Sequence, residues 1–218
     1  FTTTGIRGTY QLTESVTFSI GGINSFTGTQ ADLNRSKSVE SLLGLTPTDW
    51  LGISIFGFWG PEGGVGAKES DRVLAGAIID IQATDNTEFV VEAYYANQAN
   101  ATPGANARWN GVAGYVIHDF TDQWGFRVRG EVFEDAAGFL GCGGSVGAAG
   151  NANTCFGGVA PASQTLWEGT FTLQYKPVPS LLTRIEFRYD KSNRNTFQYG
   201  NRSANHQETL AAEVAYLF

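Results

Sequence analysis

The sequence predicts an all-β protein, an antiparallel up-and-down transmembrane β-barrel to which this chain supplies about 11 strands. Three observations favour this fold class. Apolar and polar residues alternate with a period of two, short and long connections alternate along the chain, and charged residues make up only 16% of the 218 residues. Aromatic residues reach 13% and the mean hydropathy is -0.15, so uncharged polar residues replace much of the charge expected on a soluble surface. We expect 1–218 to form a single barrel domain.

Composition also restricts the classes of function. The net charge of -7 argues against a nucleic-acid partner, because such partners select basic surfaces. No apolar run approaches the ~18 residues that a transmembrane helix needs. We expect neither a cofactor nor a metal, since no spacing of cysteine and histidine is typical of a metal site.

The alternation is clearest in the eighth predicted strand, 123–133. Phe126 and Val128 lie on one parity of this segment, and Arg127 and Arg129 lie on the other. A period of two is that of a β-strand, since a helix would scatter these charges around its whole surface. The same test predicts eleven strands, at 3–12, 15–23, 37–45, 50–59, 71–83, 86–96, 107–119, 123–133, 164–176, 180–190 and 207–218.

The connections between these strands alternate in length. Short turns are predicted at 13–14, 46–49, 84–85, 121–122 and 177–179. Long connections rich in Gly, Asn and Ser are predicted at 24–36, 60–70, 97–106, 134–163 and 191–206. Tight turns at one end and long loops at the other are typical of an outer-membrane barrel with periplasmic turns and extracellular loops. The segment 134–163 would then be a long extracellular loop.

Aromatic residues near the strand ends predict two interfacial girdles on the outer face, where a ring lies half in lipid and half in water. The expected girdle at the loop end comprises Trp59, Tyr95, Trp109, Trp167 and Tyr189. The expected girdle at the turn end comprises Tyr10, Trp124, Tyr175, Tyr216 and Phe218. The alternative is a soluble sandwich whose core takes up these rings.

The polar parity of the strands predicts the wall of the lumen. The charged residues expected to line a pore are Arg127, Arg129, Glu131, Glu168, Arg184, Glu186, Arg188, Asp190, Glu88, Glu92 and Asp80. Rings of charge bias which solute passes a pore, so this set is a candidate selectivity zone. The alternative is a salt-bridged ladder that only fills the wall. A turn at 177–179 would place Thr172 opposite Arg184, and Glu168 opposite Arg188.

The long loop holds both cysteines, Cys142 and Cys155, within a stretch rich in Gly, Ala and Asn. We expect a disulfide between them, which would indicate an oxidising compartment; two free thiols are the alternative. The loop would either fold inward and narrow the pore or project outward to bind a partner. Its lack of charge favours the inward position.

The last strand has the most specific pattern in the chain. Leu210, Ala212, Val214, Tyr216 and Phe218 share one face, and the chain ends on the aromatic. This resembles the C-terminal signature by which outer-membrane barrels are recognised for assembly. The resemblance implies a contact with the barrel-assembly machinery through the strand ending at Phe218.

Four segments resemble the β-barrel porin-2 (OmpL-like) family of bacterial outer-membrane proteins. They are TTTGIRGTYQLTESVTFSIGGIN at 2–24, RWNGVAGYVIHDFTDQWGFRVRGEVFEDAAGFL at 108–140, LWEGTFTLQYKPVPSLLTRIEFRYDKSNRNTF at 166–197 and ETLAAEVAYLF at 208–218. The resemblance implies a location in the outer membrane of Gram-negative bacteria, among lipid and lipopolysaccharide. The implied function is a porin for passive diffusion of small hydrophilic solutes, in a homo-oligomer or a larger envelope complex.

The resemblance and the strand count also imply further strands. Members of the family carry additional sequence ahead of the region that matches Thr4, and bacterial single-chain barrels have even strand numbers. We therefore expect missing N-terminal strands and a barrel of 12–16 strands.

Two other functions remain as alternatives. The first is a non-conducting structural or accessory barrel in an envelope assembly. The second is an outer-membrane enzyme, for which the two histidines give little support. His118 and Asp119 are adjacent in sequence, so they would lie on opposite faces of their strand and could not form a catalytic pair.

Overall fold

A computed structural model of the protein describes residues 3–26, 36–62, 70–102, 105–140 and 163–216. These residues form one 11-stranded antiparallel sheet and a separate two-stranded hairpin. The strands are β1 Gly5–Thr13, β2 Val16–Ile23, β3 Ser38–Thr48, β4 Leu51–Pro61, β5 Asp71–Thr84, β6 Thr87–Thr102, β7 Ala105–Asp119, β8 Trp124–Asp135, β9 Gln164–Val178, β10 Leu181–Ser192, β11 Phe197–Tyr199, β12 Arg202–Ala204 and β13 His206–Tyr216. No helix in these ranges is long and apolar enough to cross a bilayer.

The topology is a plain meander. Each strand of the large sheet pairs with its neighbours in sequence from β1 to β10, and β13 follows β10. Short turns join the strands at one end of the sheet, here called the turn end, and the opposite end is called the loop end. The predicted all-β, antiparallel, up-and-down fold class is therefore confirmed.

Two of the predicted long connections differ from the structure. Residues 97–106 were expected to form a long loop, but β6 and β7 continue pairing as far as Thr102 and Ala105. At the start of this extension the side chain of Gln98, 2% exposed, donates to the Ser70 carbonyl at 2.9 Å, which satisfies the buried amide and connects β6 to the residue before β5. The loop after β10 holds the short hairpin β11–β12, which the sequence pattern did not predict; Gly200 in its turn has a φ of 59°.

The large sheet has two contrasting faces. On its outer face the apolar side chains are exposed along every strand; Val132, Phe171 and Ile185 are 45%, 48% and 59% exposed. On the opposite, inner face, polar and charged side chains are half-buried or buried. An exposed apolar face of this size suits contact with lipid. A sandwich would need a second large sheet, whereas the only other sheet in the described ranges is β11–β12.

The two outermost strands, β1 and β13, each lack one hydrogen-bonded neighbour in the described residues. Every residue of β1 is exposed, and nearly every residue of β13 is. Both strands run from the loop end to the turn end, as their pairing with β2 and β10 shows. Direct pairing of β1 with β13 would therefore be parallel within an otherwise antiparallel sheet.

The main apolar cluster lies on the inner face at the loop end. Its buried members are Ile23, Phe26, Phe58, Leu74, Ala96, Ala107, Trp109 and Phe139. The expectation that Trp109 belongs to the outer girdle is wrong, because Trp109 is 2% exposed and its ring stacks on that of Phe139, 5.6 Å away. Its parity is opposite to that of Val112, which lies on the outer face and is 53% exposed.

Candidate functional site

The candidate site is the inner face of the sheet, where the strand register arranges side chains in rows. Residues that pair across successive strands form a row perpendicular to the strands. Along each strand, consecutive inward residues are two positions apart, roughly 6.6 Å. Three adjacent rows between β4 and β10 differ sharply in chemistry, and they are described from the loop end toward the turn end.

The first is an aromatic row. Phe56, Gly76, Tyr94, Gly111 and Phe133 are successive partners from β4 to β8, so rings and glycines alternate. A Cβ atom on Gly76 would lie 2.5 Å from Cζ of Phe56, and one on Gly111 would lie 3.0 Å from Cε1 of Tyr94. The rings of Phe56 and Tyr94 therefore occupy the space that a larger residue on the next strand would fill.

The second is a carboxylate row. Glu92, Ala113, Glu131, Glu168 and Asp190 are successive partners from β6 to β10. Like charges on neighbouring strands repel, so such a row needs compensating cations or water. Among the residues of this row that form ion pairs, Glu168 is the most buried, with 6% of its side chain exposed.

The third is a guanidinium row, which supplies that compensation. Arg129 and Arg188 both lie in it, separated by Thr170. Arg129 forms ion pairs with Glu131 and Glu168, the latter at 3.2 Å from Nη1 to Oε2. The Arg129 guanidinium also lies 5.7 Å from the ring centroid of Tyr115, its partner in the same row.

The pairing of the two rows continues to the edge of the sheet. Nη2 of Arg188 lies 2.7 Å from Oδ1 of Asp190, and Nε2 of Gln207 donates to Oδ2 of Asp190 at 2.9 Å. Glu92 is the exception. It is half-buried and makes no ion pair or hydrogen bond with any residue in the described ranges.

Toward the turn end the inner face carries further ion pairs. Arg127 contacts Asp119 at 2.8 Å, and Arg184 contacts Glu213 at 3.3 Å. Glu186 accepts a hydrogen bond from the Thr172 hydroxyl at 2.8 Å.

The register that a turn at 177–179 was expected to impose on β9 and β10 is wrong. Arg184 pairs with Gln174 and Arg188 pairs with Thr170. The turn lies at 179–180, not 177–179, and a bulge between Leu181 and Thr183 shifts the ladder further.

The acidic residues expected on the opposite side also lie on the inner face. Asp80 is on β5, and Glu88 and Glu92 are on β6. All eleven charged residues proposed for the pore therefore share this face.

His118 and Asp119 lie on opposite faces, as expected: Nδ1 of His118 is 2.9 Å from the Thr87 hydroxyl on the outer face, whereas Asp119 pairs with Arg127. No three metal-ligating side chains in the described ranges group closely enough to hold a metal ion.

Two cavities open on this face. The larger, about 510 Å³, is lined by aromatic and charged side chains that include Phe56, Tyr94, Glu92 and Arg129. The smaller, about 390 Å³, is lined by residues of β7, β8, β9, β10 and β13, which include Arg127, Arg184, Thr172 and Glu186. The inner face thus holds open space bordered by aromatic and charged side chains, some of them ion-paired.

A cationic centre at the loop end was not predicted from the sequence. The Arg72 guanidinium lies 5.4, 5.6 and 5.8 Å from the ring centroids of Phe26, Trp109 and Phe139. Its Nε donates to Oε1 of Gln98 at 2.7 Å. Phe26 follows β2 and Phe139 follows β8, so the first residues of two loops turn inward onto the wall. The feature of the sequence that could have revealed this centre is that Arg72 and Trp109 both occupy inward positions of their strands.

The other girdle candidates within the described residues lie on the outer face, in two groups. Those on the outer face toward the loop end are Trp59, Tyr95, Trp167 and Tyr189. Those on the outer face toward the turn end are Tyr10, Trp124, Tyr175 and Tyr216. Trp124 and Tyr175 stack at 4.2 Å between ring centroids. Phe218, Cys142 and Cys155 lie outside the described residues, as does most of 134–163, so the disulfide and the loop position stay predictions.

Comparisons with known proteins agree with this architecture. A family model described as "Putative beta-barrel porin-2, OmpL-like" matches residues 1–218. Among solved structures, the NanC porin is similar, with a TM-score of 0.52 and 14% sequence identity over 99% of this chain and 93% of that one. At that identity the likeness shows the fold alone. No curated protein matches the sequence.

Proposed function

The chain belongs to the β-barrel porin-2 (OmpL-like) family, and we propose that it forms an outer-membrane channel for passive diffusion of small hydrophilic solutes. The observation that carries this proposal is an inner face that bears charged side chains, many of them ion-paired, opposite an outer face of exposed apolar side chains. Charged groups on such a wall need water, and the outer face needs lipid. A membrane barrel with water in its lumen meets both needs.

The outer face supports a location in the bacterial outer membrane, in contact with lipid and lipopolysaccharide. Its exposed aliphatic residues lie between aromatic residues toward both ends, as an apolar band between two interfaces requires. We further propose that the barrel-assembly machinery recognises the last strand and Phe218. A Phe218→Ala variant should yield less heat-modifiable, folded barrel in the outer membrane, with unchanged conductance of the molecules that do insert.

The barrel itself is proposed to contain 12–16 strands. β1 and β13 run in the same direction, so an antiparallel closure needs an odd number of strands between them, at least one. Strands ahead of β1 would meet this need and would cover the two exposed edges.

Liposome swelling tests the proposed diffusion directly. Vesicles that contain the folded protein should swell in isotonic solutions of small uncharged solutes, at rates that fall as solute size increases. Vesicles with heat-denatured protein provide the control. Equal swelling rates in both preparations would contradict the proposal.

A non-conducting accessory barrel is the second candidate, and one observation favours it. The apolar cluster around Arg72 lies on the inner face at the loop end, where it covers part of the wall. If the cluster closes the path, the protein would insert and fold yet pass neither ions nor solutes.

A further inference from the structure

Glu92 stands apart from the other carboxylates of its row. Glu131, Glu168 and Asp190 each have an arginine within ion-pair distance. Glu92 has no such partner in the described ranges, because the residue next to it in the guanidinium row is Val90. The large cavity, lined by Glu92, thus carries an uncompensated negative charge at this position.

Two aromatic rings line the same cavity as this carboxylate. Tyr94 is the next inward residue of β6, roughly 6.6 Å along the strand, and Phe56 lies two strands away in the row of Tyr94. Each ring lies close to the backbone of a glycine, Gly76 or Gly111, on the neighbouring strand. All three side chains line the same cavity, so the rings border the space beside Glu92.

A carboxylate beside aromatic rings is suited to one kind of ligand. The negative faces of aromatic rings attract cations, and alkylated ammonium groups also make apolar contacts with them. Competition from Arg129 in the same cavity is reduced, because Glu131 and Glu168 already neutralise it. An inorganic cation would gain less from the rings, since it keeps a tightly held water shell.

We propose that Glu92, Tyr94 and Phe56 form a binding subsite in the lumen for the cationic group of an organic solute of the alkylammonium class. The inference rests on the proposed function, because it takes the inner face as the wall of an aqueous path. Glu92 supplies the counter-charge, and the two rings contact the alkyl groups on the nitrogen.

Equilibrium binding to the full chain in a nonionic detergent such as tetraethylene glycol octyl ether tests this subsite without requiring conduction. Choline is titrated calorimetrically, and its uncharged isostere 3,3-dimethylbutan-1-ol is the matched ligand. Choline should bind and the alcohol should bind at least about tenfold more weakly. Equal affinity for the two would overturn the proposal, because the site would then recognise shape and apolar surface only.

Three variants assign the binding to these residues. Glu92→Gln keeps the size of the side chain and removes its charge, so it should weaken choline binding about tenfold. Tyr94→Leu should weaken it several-fold by removing one ring face. Glu88→Gln is the control, because Glu88 lies on the same strand and face but pairs with Gln82 and Ile117, not with aromatic residues. It should change the affinity by less than about twofold.

The outcomes separate this inference from the proposed channel. Equal losses of choline affinity in Glu92→Gln and Glu88→Gln would overturn the subsite, since the overall negative charge of the inner face would then explain both losses. A barrel that conducts ions but does not bind choline would also overturn the subsite and leave the channel intact. A barrel that binds choline through Glu92 but never conducts would support the subsite and contradict the proposed diffusion.

Discussion

At the residue scale, Arg72 holds together side chains from separate parts of the chain. Its guanidinium lies within 5.8 Å of three ring centroids, two of which belong to residues that begin loops. Contacts of this kind contribute about 0.5–1 kcal/mol each at exposed sites and about 2 kcal/mol when water is excluded. Arg72 therefore supports the inward position of Phe26 and Phe139, together with the hydrogen bonds that their backbone N–H groups donate to Glu62 and Asp135.

Replacing Arg72 should loosen the loop end. We expect Arg72→Gln to weaken the packing of Phe26 and Phe139 by about 1–2 kcal/mol and to raise the single-channel conductance. Arg108→Gln, an exposed arginine on the outer face near the same end, serves as the control and should conduct like the original protein. Identical conductance in all three proteins would show that the cluster does not limit the path.

Arg184 and Arg188 lie on the inner face of β10 and should influence ion preference. The double variant Arg184→Glu and Arg188→Glu replaces two positive charges with two negative ones, so the reversal potential in a salt gradient should shift toward cations. Lys191→Glu changes the charge on the outer face of the same strand and should have a much smaller effect. Unchanged reversal potentials in the double variant would count against a pore-lining position.

At the element scale, the lack of a side chain at Gly76 of β5 leaves room for the aromatic row that crosses β4, β5 and β6. A Cβ atom there would lie 2.5 Å from Cζ of Phe56 and 2.7 Å from the Ala93 carbonyl oxygen, which is backbone and cannot move aside. Gly76→Ala should lower the free energy of unfolding by about 1–3 kcal/mol. Gly114→Ala should not, because nothing lies within 4 Å of its Cβ position. The free energy of unfolding is measured with urea in lipid vesicles. Equal values for Gly76→Ala and Gly114→Ala would show that the row is not tightly packed.

The closure of the barrel can be tested at the two unpaired strands. In a background with Cys142→Ser and Cys155→Ser, cysteines at Ile6 or Tyr10 of β1 and at Leu210 of β13 should not form disulfides. One intervening strand places the two backbones about 9.6 Å apart, beyond the ~7 Å limit between bridged Cα atoms. Efficient cross-linking would show direct β1–β13 pairing.

A control for that experiment comes from a known register. Tyr10 of β1 pairs with Phe18 of β2, so cysteines at these two positions should cross-link readily.

The strands and their faces could be predicted from the sequence because a membrane barrel repeats one simple rule, alternation between lipid and lumen. The register could not be predicted, since it depends on where a turn lies and on bulges such as that between Leu181 and Thr183. The carboxylate and guanidinium rows follow from register, so they emerged only in the structure. Trp109 was misplaced because a girdle position was inferred from residue type and strand end, against its own parity.

At the scale of the whole molecule, acidic side chains outnumber basic ones among the paired residues of the inner face. The acidic residues are Glu40, Asp80, Glu88, Glu92, Asp119, Glu131, Asp135, Glu168, Glu186, Asp190 and Glu213. The basic residues are Arg7, Arg72, Arg127, Arg129, Arg184 and Arg188. An excess of negative charge along a narrow path raises the local concentration of cations.

Single-channel recording in a planar bilayer under a potassium chloride gradient tests the central claim most directly, that the inner face is the wall of an open aqueous path. We predict discrete conductance steps and a reversal potential of the sign that indicates preference for potassium over chloride. A barrel that is folded and inserted, as judged by heat modifiability and protease protection, but that never conducts would contradict the claim.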